Sequence, residues 1–189
     1  GVIFTIDTES GFDKVIMING IYGLGELIVQ GRVLPDEFVV FKPTLEKGMN
    51  AIIARDLGKK NIKMIYPVRG RSPRGGRSRA SGGAASNGVY GKTGTKVVSV
   101  SEAAQNRFCL KEKEILTLAN WSLQIEKHFS KIHRQYEPMD IEWAKDGKTG
   151  ELFIVQARPE TVQALASKKV YREYHVISHG RERLSGIAV

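Results

Sequence analysis

The chain of 189 residues holds one cysteine, Cys109. A lone thiol excludes an internal disulfide framework, so the fold must rest on its core, and a reducing, cytoplasmic setting is expected. Long hydrophobic runs are also missing. A membrane helix needs roughly 18–20 apolar residues, whereas the apolar runs here are short stretches such as Val15–Ile18, and no membrane partner is expected. The opening Gly1–Thr5 has neither an initiator methionine nor the basic, apolar and small-residue zones of a secretion signal. It reads as the middle of a strand, and the chain is expected to be a piece of a longer protein. Its length suits one domain, or one domain and part of a second.

Acidic residues are absent from one stretch in particular. Between Pro67 and Ser101 there are seven basic residues (Arg69, Arg71, Arg74, Arg77, Arg79, Lys92 and Lys96) and no acid. Taking those seven from the 29 Lys and Arg leaves 22 against 20 acids, so the +9 charge belongs to this segment and the remainder is nearly neutral at +2. A basicity confined to one segment is not the footprint of a nucleic-acid-binding domain. Val68–Lys96 is rich in Gly, Ser and Arg and has little to bury, so it cannot offset an ordering cost of roughly 1–2 kcal/mol per residue. It is expected to be a flexible surface insertion whose charge keeps it solvated. The alternative is an arginine-rich tract that tracks a nucleic-acid backbone, although nucleic acid is not the expected partner.

What remains carries regular patterns. Short β-rich runs at Val2–Ile6, Lys14–Asn19, Glu37–Lys42, Ala51–Asp56 and Lys63–Tyr66 alternate with Gly and Pro punctuation. Between the second and third, Tyr22–Gly31 reads as a glycine turn, a single helical turn and a stop. Ile115, Leu118, Ala119, Ser122, Ile125, Phe129 and Ile132 recur at helical spacing, which predicts a helix over Glu112–His133. Glu112 and Glu114 suit its positive end, while Lys111 is a poor N-cap. Two strands follow, Met139–Ala144 and Glu151–Ala157, with Pro159 ending the second. The fold class is α+β, with a mostly antiparallel sheet and one main helix.

Chemistry is concentrated in that last hairpin. Asp140 and Glu142 alternate with Met139, Ile141 and Trp143, so both acids point to one face. With Glu142 opposite Gln156, Asp140 falls opposite Arg158, closed by a loop of about five residues. One patch then offers carboxylate oxygens, an amide oxygen and a guanidinium. Hard oxygens suit Mg²⁺, which takes one or two carboxylates plus substrate phosphates, and a planar Arg suits a terminal phosphate. Phosphoryl transfer needs that combination. Spacing alone favours a plainer reading, a solvated hairpin face with one cross-strand Asp–Arg pair. The Gly-x-Gly-Glu turn at Gly23–Glu26 matches neither a Walker loop nor a full dinucleotide fingerprint.

Taken together, Gly1–Thr5 with Asp7–Gly11, Tyr22–Glu26 with Val29–Gly31, Pro35–Phe38, Lys42–Leu45, Lys63-Met64, Arg107–Leu110, Ile125–Phe129, Met139–Gly147 and Ile154–Thr161 resemble the phosphoenolpyruvate synthase (pyruvate, water dikinase) family. The resemblance covers about 1–66 and 101–189. It implies that 1–161 is the second half of an ATP-grasp nucleotide-binding domain interrupted by the basic insertion at about 68–96. Residues 162–189 would be the linker and first strands of a swivelling phosphohistidine domain. The implied activity passes phosphoryl from ATP through an enzyme histidine, not in this chain, to pyruvate, giving phosphoenolpyruvate, AMP and phosphate. Glu142 and Gln156 would hold Mg²⁺ against the ATP phosphates, Arg158 would contact the terminal phosphates as the catalytic residue, and Asp140 would support them. Gly23, Gly25 and Glu26 match a loop near the nucleotide cleft, with no sharper role.

The resemblance has gaps. The family's signature around the phosphorylated histidine is absent, so His128, His133, His175 and His179 do not take that role. The first half of the ATP site and the pyruvate-binding barrel are absent too, so the chain alone is expected to be inactive. Pyruvate would be met through the absent domains, and the longer protein could be a homo-oligomer. Alternatives are a related dikinase or antibiotic phosphotransferase with another acceptor, or an inactive remnant whose Arg-rich loop binds nucleic acid.

Overall fold

The computed structural model describes residues 1–66 and 94–161. The basic segment as far as residue 93 and the expected phosphohistidine portion, 162–189, lie outside the described residues.

The expected α+β architecture is present. Eight strands occur in the described residues: β1 (Val2–Phe4), β2 (Val15–Gly20), β3 (Asp36–Phe41), β4 (Ile52–Asp56), β5 (Ile62–Ile65), β6 (Lys96–Ser99), β7 (Met139–Lys145) and β8 (Leu152–Pro159). The helices are α1 (Glu26–Val29), α2 (Lys42–Glu46), α3 (Glu102–Gln105) and the 22-residue α4 (Glu112–His133). Six strands form one antiparallel sheet in the order β4-β3-β2-β1-β7-β8, and β5 and β6 pair antiparallel in a second. The short β1 is the seam, joining the early meander to the late hairpin.

Alternation along the strands divides the six-stranded sheet into two faces. Ile3, Ile16, Ile18, Phe38, Val40, Met139, Ile141 and Trp143 pack with Ile115, Leu118, Ala119 and Leu123 of α4 into one core. Helix α4 has its predicted bounds. Its weak N-cap is relieved by Glu114, whose Oε2 accepts the Lys111 N–H at 2.8 Å, and it stops where Arg134 turns left-handed (φ 55°).

Three local expectations need correction. Thr95 and Lys96 do not belong to a solvated insertion: Thr95 is buried and Lys96 opens β6, paired with Ile65. The β-branched Val97 and Val98 give Lys96–Ser99 strand character that the neighbouring Arg-Gly-Ser composition masks. Lys42 does not end a strand but begins α2. Its ammonium is buried against Glu126 Oε2 (2.6 Å) and the Thr5 carbonyl (2.5 Å), and burial lowers its pKa. The hairpin also carries a bulge between Glu142 and Trp143, so six residues, 146–151, separate β7 from β8 rather than about five.

A second buried ion pair was not foreseen from sequence. Asp36 and Lys60 pair with both side chains fully buried. Asp36 also accepts the N–H of Gly58 (2.9 Å) and of Cys109 (2.7 Å), while Lys60 donates to the carbonyls of Gly58 (2.9 Å) and Gln105 (3.3 Å). The pair ties the segment after α3 to the start of β3.

Candidate functional site

The face of the sheet turned away from α4 carries the hairpin's polar groups. The register sets Glu142 opposite Gln156 and Asp140 opposite Arg158. On the other side of β7, Glu142 faces Val2 and Asp140 faces Phe4. The two acids are half-buried, and Gln156 and Arg158 are exposed. All four side chains assigned from sequence therefore share one patch.

Within it Arg158 is held. Its Nε donates to Asp140 Oδ2 at 2.9 Å, and its Nη2 lies 2.7 Å from the same oxygen. Both contacts use one edge of the guanidinium and leave donors on Nη1 for an anion. Glu142 and Gln156 bring a carboxylate and a carboxamide oxygen to adjacent positions. One half-buried carboxylate and one exposed neutral oxygen, on paired positions of neighbouring strands, fit a cation that completes its shell with water and phosphate. Among the described residues no group of three or more His, Cys, Asp and Glu is placed to hold a metal ion.

Followed across the sheet, the Glu142–Gln156 row continues through Val2, Asn19, Glu37 and Asp56. Asn19 was not picked out from sequence. Its Oδ1 is shielded from solvent and has no hydrogen-bond partner among the described residues. At the far end Glu37 has its pKa raised, first by burial and then by the charges of Asp56, Glu9 and Asp7.

The Tyr22–Glu26 loop lies at the end of the sheet. Gly23 is left-handed (φ +79°), and a Cβ there would meet the Met64 carbonyl oxygen at 2.3 Å, so glycine is required. The Leu24 N–H donates to that carbonyl at 2.9 Å. With Met64, Tyr66, Trp143 and the β7–β8 turn, Gly23 and Gly25 line a cavity of about 710 Å³. Asp140, Glu142, Gln156 and Arg158 do not line it, and the polar patch is an open surface. Glu26 opens α1 and accepts from Gln30 Nε2 at 2.8 Å. His128 lies edge-on to Phe129, and His133 pairs with Glu137; His175 and His179 lie outside the described residues. No helix among the described residues is long and apolar enough to cross a membrane.

Comparison with known proteins gives the arrangement a context. The family profile described as "Pyruvate phosphate dikinase, AMP/ATP-binding domain" matches residues 1–177. Over all 189 residues the chain is 46% identical to a phosphoenolpyruvate synthase of Synechocystis sp., 48% to one of Pseudomonas aeruginosa and 43% to one of Escherichia coli. It spans only 20%, 21% and 20% of the length of those curated relatives.

Proposed function

This chain belongs to the pyruvate phosphate dikinase AMP/ATP-binding domain family, and from that premise we propose that its hairpin face is the phosphate end of an ATP site in a cytoplasmic phosphotransferase. The observation that carries the reading is the register of β7 and β8. It puts one carboxylate, one carboxamide oxygen and one held guanidinium on a single open face, within a sequence that matches the ATP-binding family.

In this reading the domain is the second half of an ATP-grasp fold, and 162–189 begin a swivelling phosphohistidine domain. Glu142 and Gln156 would hold Mg²⁺, which when bound would supply charge neutralisation at the ATP phosphates. Arg158, fixed by Asp140 on one edge, presents its remaining donors to the terminal phosphates. A donor already aimed costs little reorganisation when charge shifts during transfer. One phosphoryl group of ATP then passes to a histidine of the swivelling domain and on to pyruvate, and water takes the other, so that ATP, pyruvate and water give phosphoenolpyruvate, AMP and phosphate. The acceptor is set by parts outside this chain, and a related dikinase or antibiotic phosphotransferase would use the same face. Calorimetric titration of the natural protein with ATP, with Mg²⁺ and with EDTA, tests the reading. Binding that needs Mg²⁺ and is lost in Glu142→Gln supports it; ATP affinity unaltered by either change refutes it.

A further inference from the structure

Buried polar atoms without partners are uncommon in folded proteins, and each calls for a cause. Asn19 Oδ1 is such an atom. Asn19 sits on β2 between the buried Ile18 and Gly20, so its side chain leaves the sheet on the face opposite α4. That is the face of Glu142 and Gln156, and the register makes Asn19, Val2, Glu142 and Gln156 consecutive members of one row. Two strand spacings, about 10 Å, separate the Cα atoms of Asn19 and Glu142. The intervening Val2 makes no side-chain hydrogen bonds of its own.

We infer that Asn19 is a further contact for bound Mg²⁺-ATP, its carboxamide oxygen receiving a hydrogen bond from an O–H donor of the ligand. The inference rests on the ATP reading of the hairpin face. An acceptor oxygen gains nothing from a phosphate oxygen, so the phosphates themselves are excluded as its partner. With the phosphates over Glu142 and Gln156, the row runs out at the edge strand β8 in one direction and reaches Asn19 in the other. The ribose hydroxyls are the O–H donors of ATP nearest its phosphates, a triphosphate's length away. No hydrogen bond fixes the Oδ1 end of Asn19, so turning the amide toward an arriving donor breaks no bond there. The site thereby reads the sugar at a position separate from the cation and phosphate contacts.

The test is calorimetric titration of the natural protein that carries this chain, as wild type, Asn19→Leu, Asn19→Ala and Glu142→Gln, with ATP, 2′-deoxyATP and 3′-deoxyATP in Mg²⁺. Thermal melting without nucleotide is followed in parallel. Loss of one hydrogen bond predicts about tenfold weaker ATP binding in Asn19→Leu. Its melting temperature without nucleotide should be unchanged or higher, because an unpaired buried oxygen has been removed. A merely structural role would move stability and not affinity. With a ribose donor, wild type binds one deoxy analogue about tenfold less tightly than ATP, and Asn19→Leu no longer distinguishes them. With a water of the Mg²⁺ shell as donor, all three nucleotides weaken alike in Asn19→Leu. Unchanged ATP affinity in Asn19→Leu overturns the inference, and Asn19→Ala decides if the leucine variant does not fold. If Glu142→Gln weakens binding while Asn19→Leu does not, only the role of Asn19 falls. If neither weakens it, the ATP reading of the face falls as well.

Discussion

Arg158 and Asp140 face each other across β7 and β8, and two guanidinium nitrogens, Nε at 2.9 Å and Nη2 at 2.7 Å, converge on one carboxylate oxygen. The Arg158 side chain is still 66% exposed. A pair this open adds little stability, about 0–1 kcal/mol, and its consequence is the fixed direction of the guanidinium. Asp140→Asn should therefore leave the denaturation midpoint almost unchanged. ATP-dependent turnover in the natural protein should fall about tenfold, measured by coupled assay beside a urea melt.

The buried Asp36–Lys60 pair behaves differently. Lys60→Met leaves the Asp36 charge enclosed and uncompensated, which costs about 3–5 kcal/mol. Chemical denaturation of the variant should show a loss of that order. A loss below 1 kcal/mol would mean that the pair does not hold the segment after α3 in place.

That pair also marks what sequence reasoning reaches. The facing of Asp140 with Arg158 and Glu142 with Gln156 was legible because a hairpin is local: alternation fixes the face and a short loop limits the register. The bulge after Glu142 was not, since it depends on how Trp143 and Ile154 seat in the core. Nothing in the local sequence marks Lys60 and Lys42 as buried. Their partners, Asp36 and Glu126, lie 24 and 84 residues away, and no periodicity connects them. Asn19 carried no motif, and only the sheet register brings it into the row of Glu142.

Glu37 supplies a pH signature. Burial, then the charges of Asp56, Glu9 and Asp7, raise its pKa in the folded state. The folded chain thus holds this proton at a pH where the unfolded chain has released it, and stability falls as pH rises from the ordinary carboxylate range through the raised value. Glu37→Gln should melt higher than wild type at neutral pH, and the difference should vanish below the ordinary carboxylate range. An equal difference at both ends would show that charge is not its source.

Cys109 should be chemically quiet. Burial, followed by the Asp36 charge, pushes its thiol up to about 12, so almost no thiolate exists near neutrality. Alkylation by iodoacetamide at pH 8 should be far slower in the folded protein than in urea. Equal rates would contradict the burial of Cys109, whose Sγ lies so close to Gly20 that a Cβ there would meet it at 2.6 Å.

If the open hairpin face meets ATP phosphates, Arg158→Ala in the natural protein loses turnover and keeps its fold. Steady-state turnover with saturating Mg²⁺-ATP is measured beside a thermal melt. Loss of one donor to developing phosphate charge predicts a kcat lower by about 10²–10³ with the melt nearly unmoved. Wild-type turnover from a well-folded Arg158→Ala protein would mean that this face does not meet the phosphates of ATP.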